Sequence, residues 1–155
     1  MSKNIFIIFF VLLTIIACTS VKTQNTALKT EQGIDGYVYK TSGNLMPMPG
    51  KAAAKPTGIA STIFIYEMTN IKDVVRIDNS PWYSSIHKKL ITTTQSDSTG
   101  HFNLQLPVGD YSLFTKTGQL FYANLFDSEN NIAAVKVEAG KLTKTVIKVD
   151  AGATY

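Results

Sequence analysis

The stretch Ser96–Phe114, SDSTGHFNLQLPVGDYSLF, constrains the fold more than any other part of the chain, because it holds two alternating segments and two turns with no helical period. Asp97–Gly100 carries turn chemistry: Asp and Ser side chains bond their own backbone, and Gly accepts positive φ. Phe102, Leu104 and Leu106 alternate with Asn103 and Gln105, as in a strand with one buried and one wet face. Pro107 ends that strand, Gly109–Asp110 turns the chain, and Tyr111 and Leu113 begin a second alternation. The spacing predicts that these two strands pair as an antiparallel hairpin.

The same period recurs along the chain. Ile34 and Val38 face away from Tyr37 and Tyr39. Ile63 and Ile65 alternate with Phe64 and Tyr66, so the strand within 61–68 is apolar on both faces and belongs in the middle of a sheet or under a loop. Residues 86–94 read as extended, and Gln119–Phe126 is an aromatic segment. Val135 and Val137 flank Lys136, and Thr143, Thr145, Ile147 and Val149 alternate with Lys144, Val146 and Lys148. Residues 45–60, with three prolines, read as a long loop, and residues 69–85, broken by Asn70, Asn79, Ser80 and Pro81, as irregular chain. The expectation is an all-β, antiparallel, Ig-like sandwich of seven to eight strands. With 155 residues there is room for one such domain, and 45% hydrophobic against 17% charged residues is the composition of a packed core rather than of disorder.

The front of the chain has a different character. Residues 5–16, IFIIFFVLLTII, carry no charge and follow Lys3. As a helix this run is about 18 Å long, short of the roughly 30 Å of bilayer hydrocarbon but suited to the apolar region of a secretory signal. It ends in Ile15-Ile16-Ala17-Cys18, which resembles the lipobox of bacterial lipoproteins, with Ile15 where that family most often has Leu. The resemblance implies a signal peptide over 1–17, lipidation of Cys18, and a polar tether over 18–32. A single cysteine makes no internal disulfide, so hydrophobic burial must hold the exported fold together. The residues after Cys18 include no retention-type Asp at Thr19 or Ser20, which points to an outer membrane and its periplasmic face. The charge balance, 15 basic against 11 acidic residues with Lys3 in the leader, is too small and dispersed for nucleic acid.

Four turn and core motifs in the body resemble the carboxypeptidase regulatory-like domain, a transthyretin-like (prealbumin-like) sandwich common in exported proteins of Bacteroidetes-type bacteria. Gly36-Tyr37-Val38 with the Gly43 turn matches its opening, Asp97–Phe102 its D-x-x-G-x-F turn, Leu106–Tyr111 its L-P-x-G-x-Y, and Val137–Gly140 its late V-x-x-G. The resemblance implies one such domain over 33–155. It speaks to fold and is silent on activity.

Candidate sites are few. His87 and His101, the only histidines, have no cysteine partner in the mature chain and lack the ligand spacing of a zinc site. There is no G-x-S-x-G elbow and no assembled nucleophile and base, so the chain reads as non-enzymatic and without cofactor or metal. The acidic turns at Asp97 and at Asp127–Glu129 do not follow calcium-loop spacing. Lys144 and Lys148, on one strand face, read as a solvated edge that resists aggregation. Trp82 and Tyr83, beside the Met46/Pro47 loop, read either as core aromatics or as loop aromatics that stack on sugar rings or anchor a protein partner. The resulting expectation is a membrane-anchored envelope lipoprotein acting as a binding or assembly module, with envelope proteins or glycans as partners. The alternative is a carbohydrate-binding accessory protein that uses Trp82 and Tyr83.

Overall fold

The computed structural model describes residues 31–44, 46, 50 and 55–154. Signal segment, Cys18, Pro47 and most of the 45–54 loop lie outside these residues. Strands β1 (Gly33–Asn44), β2 (Thr57–Gly58), β3 (Thr62–Glu67), β4 (Val74–Arg76), β5 (Trp82–Ile86), β6 (Leu90–Gln95), β7 (His101–Gln105), β8 (Gly109–Thr117), β9 (Leu120–Tyr122), β10 (Ala134–Val137) and β11 (Leu142–Thr154) form two sheets. The four-stranded sheet has the order β11-β1-β2, with β7 also on β1; the seven-stranded one runs β4-β5-β9-β8-β3-β6, with β10 on β8. The fold is all-β, a two-sheet sandwich, and no described helix is long and apolar enough to cross a membrane.

The core between the sheets follows from the alternation. Ile34 and Val38 of β1, Phe102 of β7 with Leu106 beyond it, and Ile147 and Val149 of β11 meet Ile63, Ile65, Tyr111, Leu113, Tyr122 and Val137 from the other sheet. Gly36 leaves room in this layer, since a Cβ there would lie 2.8 Å from the Phe102 ring and from Thr145. The opposite face of the seven-stranded sheet carries a second cluster. Tyr66, Tyr83, Phe114, Ala123 and Ile132 are buried there, with Phe114 edge-on to Tyr66, Tyr83 and Phe121. The doubly apolar β3 is thus central, between β8 and β6, and its outer side chains are covered.

Three expectations need correction. The Ser96–Phe114 segment is not a hairpin: β7 pairs with β1, whereas β8 pairs with β3, β9 and β10. The turn through Pro107 carries the chain from one sheet to the other, and the Tyr111 hydroxyl donates to the Pro107 carbonyl at 3.0 Å, bracing the corner. Both alternations are real, because both strands send their apolar side into the same core. Second, the sandwich is not wholly antiparallel. β1 and β11 are parallel from Gly33↔Leu142 onward, an arrangement open to strands separated by the rest of the domain and therefore not joined by a tight turn. Third, residues 69–85 do not wander. Asn70 and Asp73 form a capping box around a 3-10 turn, Ile71–Asp73, and β4 and β5 then pair antiparallel. These added strands and the small β2 raise the described strand count above the expected seven or eight.

Candidate binding cleft

β9 and β10 both lie against β8, β9 on its second half and β10 on its first. The chain between them, 123–133, makes an excursion closed by a tight polar turn. Asp127 Oδ1 accepts the amides of Glu129 and Asn131 at 2.9 and 2.8 Å, and Oδ2 accepts the Asn131 side-chain amide at 2.9 Å. Asn130 and Ala133 both have positive φ, 64° and 43°, which lets the chain reverse and return to β10. The Ala133 amide donates to the Leu125 carbonyl at 2.9 Å.

Between this excursion and β11 opens a cleft of about 150 Å³. Its floor is apolar, with Leu113, Ala123, Ala133, Val135 and Ile147, while Asn124, Asp127, Thr145 and Lys148 supply polar groups. Exposed apolar side chains rim it: Leu125 is 52% exposed, Phe126 41% and Val146 41%. The Arg76 guanidinium sits 5.7 Å from the Phe126 ring centroid. One end of the cleft is fixed by a polar network. The Tyr122 hydroxyl donates to the Asp150 carboxylate, the Asn124 side-chain amide donates to the same oxygen at 2.8 Å, and the Asp150 amide donates back to the Tyr122 hydroxyl at 3.2 Å. The excursion is therefore tied to β11 at that end of the cleft.

The sequence-predicted residues lie elsewhere. Trp82 and Tyr83 are on β5, not on a loop, so they point to opposite faces. Trp82 is half-buried against Tyr122, with ring centroids 4.8 Å apart. Tyr83 is fully buried in the outer cluster, its hydroxyl donating to the Ala123 carbonyl at 3.3 Å. They do not form a shared stacking platform, because strand alternation separates them. Met46 is exposed, and Pro47 lies outside the described residues. The two histidines are also apart. His87 lies beside Ser85, whereas His101 Nε2 lies 2.8 Å from Asp35 Oδ1 on the outer face of the four-stranded sheet. Tyr37 stacks on Tyr39 there at 5.6 Å and packs against the His101 ring at 5.0 Å. No group of three or more His, Cys, Asp or Glu side chains able to hold a metal occurs among the described residues.

Sequence reasoning missed both this polar face and the cleft. The one available signal for the cleft was Leu125-Phe126, two large apolar residues immediately before an acidic turn. Against known proteins, no family model matches the chain, and neither a curated protein nor a solved structure does.

The surface carboxylates give the fold a directional pH dependence. Contact with the His101 ring, helped by Asn103 and Lys144, holds Asp35 below the usual carboxylate range. The Thr99 hydroxyl, then backbone amides, do the same for Asp97, and the Asn131 side chain and amide do so for Asp127. A carboxyl group with a lowered folded-state pKa contributes stability above its unfolded value and loses it as pH falls through the folded value. Thermal stability should therefore hold at neutral pH and decline below about pH 4. Asp35→Asn should make that decline shallower. An unchanged melting temperature for the parent chain down to about pH 2 would contradict these assignments.

Proposed function

We propose that this chain is a lipid-anchored, non-enzymatic binding or assembly module of the bacterial envelope, with a carboxypeptidase regulatory-like sandwich as its body. Acyl chains on Cys18 hold it at the membrane, at about 0.8 kcal/mol per buried methylene, on the periplasmic face of an outer membrane. The observation that carries the binding half is the cleft beside β11, open to solvent, apolar in its floor and tied at one end through Asn124 to Asp150 and Tyr122. An apolar floor with a few placed polar groups is the usual lining of a binding site. Glycan stacking across Trp82 and Tyr83 does not fit this geometry, since those rings face opposite sides of a strand.

The anchoring half is tested by fractionation. Wild-type chain should sediment with membranes and leave them only in detergent, whereas Cys18→Ala should lose lipidation and appear as unprocessed precursor. Equal processing of the two forms would sink the lipoprotein reading. Cross-linking of wild-type chain in intact cells should capture a partner through the 123–135 side of the domain.

A further inference from the structure

The reading as a binding module leaves the partner's chemistry open, and the cleft's position on the sheet supplies it. Thr145, Val146, Ile147 and Lys148 all line the cleft. Four consecutive strand residues point alternately to the two faces, so a cavity that touches all of them lies at the strand's edge. β1 occupies one edge of β11 along most of its length, and β11 is the terminal strand of its sheet. The cleft therefore lies along the other edge, where the Thr143 hydroxyl donates to the Lys136 carbonyl and the Asp150 amide to the Tyr122 hydroxyl. Among the described residues no strand pairs on this edge with the stretch between them, and that stretch is the part suited to strand addition.

We infer that the cleft and the adjoining edge of β11 over 144–148 form one site for an extended peptide segment of another envelope protein, alternating apolar and acidic side chains. Pairing to β11 supplies backbone hydrogen bonds, and every second side chain of the added strand points to the cleft. The cavity of about 150 Å³ suits one leucine- or phenylalanine-sized group. The other side chains lie on the outward face beside Lys144 and along the outer rim of the cleft formed by Val146 and Lys148. Two lysines in that row favour carboxylates across from them. The same lysines disfavour a second copy of this chain. In a symmetric antiparallel pairing centred on Val146, Lys144 of one copy faces Lys148 of the other, and like charges directly opposite are destabilising.

The test uses the full mature chain in detergent micelles and a synthetic decapeptide alternating Val and Glu with one central Leu on the Val side. A peptide of the same composition in two blocks, and one with Lys replacing Glu, are the controls. The alternating Glu peptide should bind and slow amide exchange across residues 145–148. Ala134→Trp, which fills the cleft from an exposed position on β10, should weaken binding by about tenfold or more. The double variant Lys144→Glu/Lys148→Glu should weaken it about fivefold and strengthen binding of the Lys peptide by a similar factor. Equal binding of the block peptide overturns the inference, as does no binding up to about 1 mM. Protection of 145–148 that rises with protein concentration in the absence of peptide also overturns it, by making a second copy the occupant. A chain lipidated at Cys18 that ignores the peptide loses this site alone, whereas an unlipidated chain that binds it loses the anchor and keeps the site.

Discussion

Gly100→Ala is expected to destabilise the fold by about 2–5 kcal/mol, read as a lower midpoint in urea unfolding at unchanged slope. Gly100 has φ of +87°, and a Cβ there would lie 2.2 Å from the Val38 carbonyl oxygen, which belongs to β1 backbone and has little freedom to retreat. The close approach exists because the Gly100 carbonyl accepts the Val38 amide at 2.8 Å, joining the turn to the first strand. Asp97 holds the rest of the turn, its Oδ1 accepting the amides of Thr99 and His101 at 2.8 and 3.0 Å. A left-handed conformation costs a residue with a Cβ about 1–2 kcal/mol, and forced backbone displacement adds about 1–3. A loss below about 0.5 kcal/mol, the usual range of a surface change, would show that the turn does not dock on β1 as described.

Phe114→Ala should cost about 3–5 kcal/mol, a large share of the roughly 5–15 kcal/mol by which such domains are stable. Phe114 is fully buried, yet it points away from the layer between the sheets. Its neighbours are Tyr66, Tyr83 and Phe121, at ring-centroid distances of 5.8, 5.7 and 6.5 Å. The experiment therefore asks whether the outer cluster is a second core or a loosely covered sheet face. Leu125→Ala, at an exposed rim position of the cleft, serves as the comparison and should change stability by less than about 0.5 kcal/mol. Similar small losses from both variants would contradict a second core.

How far the sequence could be read depended on whether a feature was local. Alternation located the strands of 33–39, 61–68, 101–106, 111–114 and 142–149 and correctly made β3 doubly covered, because burial of a face is written into successive residues. It could not say which sheet each strand joins. The strands at 101–106 and 111–117 both alternate and are separated by a turn, and a hairpin and a corner between sheets share that pattern. The contact that distinguishes them, Tyr111 to the Pro107 carbonyl, becomes visible only in three dimensions. The parallel pairing of β1 with β11 joins opposite ends of the domain and leaves no local trace. In 69–85 the breakers Asn70 and Ser80 read as marks of irregular chain, although Asn70 caps a turn and the Ser80 hydroxyl donates to the Ile77 carbonyl inside the β4–β5 turn. Irregular chain there puts Trp82 and Tyr83 on a loop as a stacking surface, whereas both lie on β5. The cleft was the least legible feature, since residues near 113, 125, 134 and 146 meet there through tertiary structure alone.

The proposed anchor holds the sandwich at a membrane by its front end, and the mass of the mature amino terminus tests this most directly. Mass spectrometry of the protein extracted from membranes should find Cys18 as the first residue, carrying a diacylglyceryl thioether. An unmodified Cys18, or a first residue elsewhere in the chain, would contradict the anchor and with it the proposed place of action.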